Sequence, residues 1–370
     1  MASSYTRRMN AGFTGLAALA VAMGIGRFAF TPLLPMMQDD AGVSLAQGGY
    51  LASANYVGYL VGALWALRPA RAEVAIRSAL LAIALTTLAM GFAHGMSGWI
   101  LLRALAGVAS AFALVHVSSW ALQQAPAGIV FSGVGCGIAL AGALCLALMH
   151  AGASSSQAWI ALGAIALAVT ALVWPMVTGE RRRPSASARL IWTADRARLV
   201  LCYGAFGFGY IIPATFVPAM AKSIVDDPAV FGWAWPIFGA TAALSTIFAA
   251  GHGNRRIWTI AALAMAAGVA APLVIPGAAG VLASALLVGG TFMVITMAGM
   301  QEARELAGAN APALMAAMTA AFAAGQIAGP LLVSFLLHAG AGLSSALAIG
   351  AVVLVLSAIA LGLKEKPCPT

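Results

Sequence analysis

The stretch Gly24-Ile25-Gly26-Arg27-Phe28-Ala29-Phe30-Thr31-Pro32-Leu33-Leu34-Pro35-Met36-Met37 decides how this chain is interpreted. Arg27 is the single charged residue of this otherwise apolar stretch. A charge within a membrane-spanning helix is costly, and such residues generally serve a function. The stretch therefore predicts both a membrane span and a functional residue inside it.

The glycine and proline frame of this stretch recurs in the second half of the chain. The four frame residues Gly24, Gly26, Pro35 and Met37 align with Gly207, Gly209, Pro218 and Met220, and Arg27 aligns with Tyr210. Two related halves are typical of transporters whose binding site lies between repeats. The sequence thus predicts two similar halves that differ where one of them carries a charge.

Composition predicts a protein that crosses the membrane many times. Of its 370 residues, 62% are hydrophobic and 8% are charged, whereas soluble domains carry about 25% charged residues. Each helical span needs roughly 20 apolar residues, and charge-free runs such as 104–179 are long enough for several. We predict an all-α integral membrane protein with twelve spans, near 10–35, 48–68, 77–95, 98–122, 127–149, 157–178, 198–221, 229–250, 257–275, 279–301, 311–337 and 343–363; ten spans is the alternative.

The segment from Glu180 to Arg189 is the one long polar stretch, close to the middle of the chain. We interpret it as part of a cytoplasmic linker over 179–197, which joins an N-terminal six-helix bundle (1–178) to a C-terminal six-helix bundle (198–370). With both termini inside the cell, nearly all arginines fall on cytoplasmic segments, as the positive-inside rule requires. This accounts for the net charge of +9 without a nucleic-acid partner.

Several motifs resemble the major facilitator superfamily, and more narrowly its YbfB/YjiJ-type branch. The stretch around Arg27 is similar to the first helix of that branch, and the run from Arg103 to Gly107 is similar to the family's Arg-x-x-x-Gly pattern. Glycine-rich segments at 133–142 and 325–330 resemble the family's fifth- and eleventh-helix motifs. The loop after the second span departs from the family, because Ala66 replaces the usual aspartate. The resemblance implies a secondary transporter in a bacterial cytoplasmic membrane, working by alternating access.

Arg27, Asn55 and Arg103 are predicted to lie at a similar depth, since helix rise is about 1.5 Å per residue. In one interpretation they line an outward-facing cavity and bind a carboxylate or another anion through charge-assisted hydrogen bonds. In the other, each arginine caps backbone carbonyls or extends to the membrane interface. The neutral second half adds Tyr210 and Gln326 as candidate substrate-binding residues, which suggests an anionic end of the substrate near the first half and an aromatic end near the second.

His116 is a candidate proton site, because an imidazole titrates near physiological pH. We expect no catalytic residue, cofactor or metal, since no nucleotide, metal or nucleophile motif appears. We expect the substrate to be a small organic solute, either an anion or a drug or metabolite that is exported, and we expect a lipid bilayer around the protein and a functional monomer. The alternative is an integral membrane enzyme that acts on a lipid or acyl substrate, and such an enzyme would need clustered catalytic groups.

Overall fold

The computed structural model describes residues 2–68, 70–178, 191–224, 233–250 and 254–362, which are helical with short turns and contain no strand. The first part of the predicted linker, 179–190, lies outside the described residues, and its last residues, 194–197, belong to the helix that begins at Ala194. The helices are α1 (Ala2–Leu19), α2 (Phe30–Asp40), α3 (Leu45–Trp65), α4 (Ala72–Met90), α5 (Met96–Ala121), α6 (Ala127–His150), α7 (Ser155–Val173), α8 (Ala194–Ile224), α9 (Ala234–Ala249), α10 (Asn254–Val274), α11 (Gly277–Ala307), α12 (Ala311–His338) and α13 (Leu343–Gly362).

By length and apolar composition, nine stretches of the described residues are candidate membrane spans. One of them, Gly277–Val333, includes all of α11 and most of α12. Helix α9 is shorter and also apolar. Each of the twelve predicted spans overlaps at least one of the helices α1 to α13. Helix α3, at the predicted span 48–68, is not among the nine candidates, and the count of twelve membrane crossings stays a prediction.

A π-helical segment, Ala20–Phe28, joins α1 to α2 and carries Arg27. In this wider helix each carbonyl pairs with the amide five residues ahead, and such segments are frequent at functional sites. The amide five residues after Arg27 belongs to Pro32, which has no N–H to donate. Pro32 therefore cannot make the π-helical hydrogen bond to the Arg27 carbonyl.

Corresponding helices pack closely within each half of the protein. A methyl group added at Gly24 would lie 2.5 Å from the backbone of Gly137 on α6, and one added at Gly207 would lie 2.3 Å from the carbonyl oxygen of Phe322 on α12. The first contact joins the π-helical segment to α6 and the second joins α8 to α12, so both of the aligned glycines lie where two helices approach closely. The next aligned pair differs, because Gly26 packs against α4 and α5, whereas Gly209 packs against α13.

The two halves meet along helix pairs that approach closely. On α6, a methyl group at Gly135 would lie 2.3 Å from the backbone nitrogen of Ala243 on α9. Helix α3 faces α12, where the ring centroids of Tyr59 and Phe322 are 6.4 Å apart. At the end of the molecule where α7 leads toward α8, Arg304 of α11 donates a hydrogen bond to the carbonyl of Leu122, which follows α5. The halves are therefore in contact both in the middle of the molecule and at that end.

Candidate functional site

Arg27 lies at the interface between the halves and is 3% exposed. Its Nη2 donates a hydrogen bond to Oε1 of Gln326 on α12. The amide nitrogen of Gln326 in turn donates to the Tyr210 hydroxyl on α8 at 2.6 Å. We call this chain the Arg27–Gln326–Tyr210 bridge. It connects the π-helical segment of the first half to two helices of the second half.

Aromatic rings surround the guanidinium of Arg27. Its Cζ lies 4.1 Å from the ring centroid of Tyr59 and 5.5 Å from that of Phe322. The Tyr210 ring stacks on Phe292 and on Phe322, with centroid distances of 5.4 and 5.5 Å and interplanar angles of 14° and 12°. Each desolvated cation–π contact contributes about 2 kcal/mol. The aromatic shell thus stabilises the charge of Arg27 without neutralising it.

Arg103 makes contacts of a different kind. Its Nη1 and Nη2 donate to the carbonyl oxygens of Gly26 and Arg27, each at 3.3 Å. Both carbonyls belong to the π-helical segment. The Arg27 carbonyl is the one to which Pro32 has no N–H to donate. Asn55 of α3 donates from Nδ2 to the Arg103 carbonyl at 3.0 Å. This arrangement agrees with the backbone-capping interpretation of Arg103. Arg103 contacts the backbone that carries Arg27, and Asn55 contacts the backbone of Arg103.

Neither buried arginine has a carboxylate partner among the described residues. The acidic side chains seen in ion pairs there, Glu73, Asp195 and Glu302, pair with arginines near helix ends. Three guanidinium nitrogens in the site have no hydrogen-bond partner: Nε and Nη1 of Arg27, and Nε of Arg103. Burying an unpaired charge is expensive. The site therefore has a surplus of positive charge and unused donors.

The predicted outward-facing cavity is closed in this conformation. Arg27, Asn55 and Arg103 are 3%, 0% and 3% exposed, so all three are shielded from water. The structure brings these residues together, and it adds Tyr210 and Gln326 through the bridge. Their role in substrate binding stays a prediction.

His116 lies on α5, apart from the bridge. It is buried, its ring packs edge-on against Phe112 at 4.4 Å, and its Nε2 has no hydrogen-bond partner. No group of three or more His, Cys, Asp or Glu side chains able to hold a metal ion occurs among the described residues.

Two contributors to the site, Tyr59 and Phe322, were missed by the sequence analysis. Tyr59 follows Asn55 by four residues, and Phe322 precedes Gln326 by four. Residues four apart share one face of a helix. The four-residue spacing from Asn55 and from Gln326 could therefore have indicated that Tyr59 and Phe322 face the same site.

Comparisons with known proteins identify the family. A family model described as "Uncharacterised MFS-type transporter YbfB" matches residues 19–362. The chain is similar in structure to the human organic anion transporter MFSD10 (TETRAN), with a TM-score of 0.69 and 13% sequence identity over 96% of this chain and 99% of that one. No curated protein matches the sequence. With its apolar helices, the chain is a multi-pass membrane protein and belongs to the YbfB-type family of major facilitator superfamily secondary transporters.

Proposed function

We propose that this transporter carries a small organic anion with an apolar or aromatic body across a bacterial cytoplasmic membrane by alternating access. The observation that carries the proposal is the buried guanidinium of Arg27. It lies between the two halves, and no carboxylate among the described residues pairs with it. The proposal includes twelve spans in two six-helix bundles, 1–178 and 198–370, both termini in the cytoplasm and a functional monomer.

The donors of Arg27 favour a carboxylate or a similar planar anion as the charged group of the substrate. A guanidinium binds a carboxylate through two parallel N–H···O bonds, and two of the Arg27 nitrogens are without a partner. Such an anion would neutralise the charge and use a free donor in a water-poor site. MFSD10, which is similar in structure, is an organic anion transporter, and this agrees with the proposed substrate class.

The rings near Arg27 favour an apolar or aromatic body for the substrate. Tyr59 belongs to the first half, whereas Tyr210, Phe292 and Phe322 belong to the second half. Stacked and edge-on ring contacts add about 0.5–1.5 kcal/mol beyond the area they bury. A ring attached to the carboxylate would therefore be held by the second half while Arg27 holds the charge.

We assign Arg103 and Asn55 a positioning role in this mechanism. Arg103 bonds the carbonyl of Arg27 itself, so it fixes the backbone from which the guanidinium projects, and Asn55 fixes the Arg103 helix in turn. His116 is our proposed site for a coupling proton, since its buried Nε2 is free. The alternative of a membrane enzyme would require clustered catalytic groups, and the family assignment favours transport.

The test is a thermal-shift screen of the purified protein with benzoate, benzamide and benzylamine, which share a ring and differ in charge. A ligand that binds the folded state raises its apparent stability. We expect benzoate to raise the melting temperature, the other two to leave it unchanged, and Arg27→Gln to abolish the benzoate effect. Counterflow uptake of labelled benzoate into proteoliposomes then measures transport. An equal shift with benzamide or benzylamine, or an unchanged benzoate shift in Arg27→Gln, would refute the anion proposal.

A further inference from the structure

Closing the two halves over Arg27 removes water from a charged group. Arg27 is 3% exposed, and the carboxylates seen in ion pairs among the described residues belong to other arginines. In alternating access the halves open and close in every cycle, so Arg27 repeatedly exchanges its hydration for contacts inside the protein. Because an unpaired buried charge is expensive, the closed form without substrate needs a hydrogen-bond acceptor at Arg27.

Gln326 provides this acceptor. Its Oε1 accepts from Nη2, the only nitrogen of the Arg27 guanidinium that has a hydrogen-bond partner among the described residues. Arg27 belongs to the first half and Gln326, on α12, to the second. The bond therefore forms when the two halves come together, and the amide oxygen then takes the place of water at Nη2.

The other end of the Gln326 side chain also has a partner in the closed form. Its nitrogen donates to the Tyr210 hydroxyl at 2.6 Å, and the residue is completely buried. A buried amide nitrogen without an acceptor would destabilise the closed form. The Arg27–Gln326–Tyr210 bridge thus lets the halves close with both polar ends of Gln326 satisfied.

An amide at position 326 leaves the site able to bind an anion. The amide carries no charge, so it does not neutralise Arg27, as a carboxylate at this position would. Nη2 carries two N–H groups and gives one of them to Gln326. A complete two-donor face of the guanidinium stays free for a substrate carboxylate, which would add two charge-assisted bonds. The bond to Gln326 is therefore compatible with both the empty and the loaded transporter.

We propose that Gln326 enables the transporter to close without substrate, and that the protein therefore performs net transport as well as exchange of one anion for another. This inference rests on the proposed function, because it requires an anionic substrate at Arg27 and alternating access. Exchange needs only the loaded transporter to close, and there the carboxylate is bonded to Arg27. Net transport also needs the empty transporter to close and return. Loss of Gln326 thus slows net transport far more than exchange.

The test measures two fluxes of labelled benzoate from proteoliposomes: net efflux into benzoate-free buffer, and exchange with benzoate on both sides. Valinomycin with equal K⁺ concentrations prevents a membrane potential, and protein-free liposomes give the passive leak. We expect the wild type to show both fluxes. In Gln326→Leu, which lacks the acceptor, net efflux should fall at least about tenfold, the factor for one hydrogen bond to a charged group, while exchange stays close to the wild-type rate.

Tyr210→Phe tests the same inference and keeps the aromatic ring. It removes the hydroxyl that accepts from Gln326, so net efflux should fall, by less than in Gln326→Leu, and exchange should be retained. If Gln326→Leu does not fold, Tyr210→Phe decides alone. Thr319→Val is the matched control on α12, because Thr319 is also fully buried and its hydroxyl donates to the Met315 carbonyl of the same helix. We expect both of its fluxes to equal those of the wild type.

Equal losses of net efflux and exchange in the folded variants, or unchanged net efflux in them, would overturn the role of Gln326 while the anion proposal stands. Exchange without net efflux in the wild type would overturn it as well. Absence of both benzoate fluxes in the wild type, or fluxes unchanged by Arg27→Gln, would instead refute the proposed function.

Discussion

Replacing each buried arginine by lysine separates the two roles that the structure suggests for them. Arg27→Lys keeps the positive charge but loses the planar fork, so one of the two bonds to a carboxylate is lost. One hydrogen bond to a charged group contributes about 1.5–3 kcal/mol, which corresponds to a Kd for benzoate raised roughly 10- to 150-fold. The stacked contact with Tyr59 at 4.1 Å weakens as well, so the upper part of that range is expected.

Arg103→Lys is expected to act on stability instead. The guanidinium of Arg103 serves the carbonyls of Gly26 and Arg27 together, and one lysine ammonium reaches only one of them in the same geometry. The loss of one such bond destabilises the fold by about 1.5–3 kcal/mol. The melting temperature should fall, while the Kd for benzoate of the folded protein changes far less than in Arg27→Lys.

Titration calorimetry in detergent supplies the Kd of both variants, and differential scanning fluorimetry supplies their melting temperatures. The reasoning is refuted if Arg27→Lys binds benzoate as the wild type does while Arg103→Lys loses binding. In that case Arg103 would hold the anion, and its bonds to the π-helical segment would be a property of the ligand-free state.

Three further predictions concern packing, the contact between the halves and proton coupling. Gly135→Ala should lower the melting temperature, because its new methyl group would lie 2.3 Å from the α9 backbone and overpacking costs about 1–3 kcal/mol; Gly290→Ala, with open space at its Cβ, is the control. Arg304→Ala removes the bond to the Leu122 carbonyl, so a cysteine probe near that end of the interface should react faster with a thiol reagent. His116→Gln should lose the response of transport to an imposed pH gradient and retain counterflow exchange.

Each of these three has an outcome that contradicts it. Equal melting temperatures for Gly135→Ala and Gly290→Ala would show that α6 and α9 are not in close contact in the folded protein. Probe reactivity that rises equally in Arg256→Ala, a change at an exposed arginine, would remove the special role of Arg304. A pH response retained by His116→Gln would exclude that histidine as the proton site.

The helices and the importance of Arg27 could be predicted from the sequence because both depend on local properties. A bilayer sets the length of an apolar run, so the charge-free segments identified the helices to within a few residues. Boundaries at the ends differed most where helices continue beyond the apolar run, as α11 does to Ala307. An arginine within such a run is recognisable without any knowledge of its neighbours.

The partners of the candidate residues could not be predicted, because they come from helices that are distant in the chain. The sequence left two interpretations open for Arg103, and its carbonyl contacts appear only once α5 packs against the π-helical segment. The π-helix itself was also not predicted. Its glycines and Pro32 indicated a loosened helix, but the wider register becomes visible only in the folded chain.

The sequence by itself determined a multi-helix membrane protein with a charge at Arg27, and it predicted two similar halves in which Tyr210 aligns with Arg27. Only the tertiary structure showed that these two equivalent positions meet through Gln326, which is 299 residues from Arg27 in the chain. The physical reason is that apolar periodicity fixes which segments are helical, whereas the packing of helix on helix fixes which polar side chains face one another. In lipid every buried polar group needs a partner, so the packing of the helices also decides which N–H donors of Arg27 remain for a substrate.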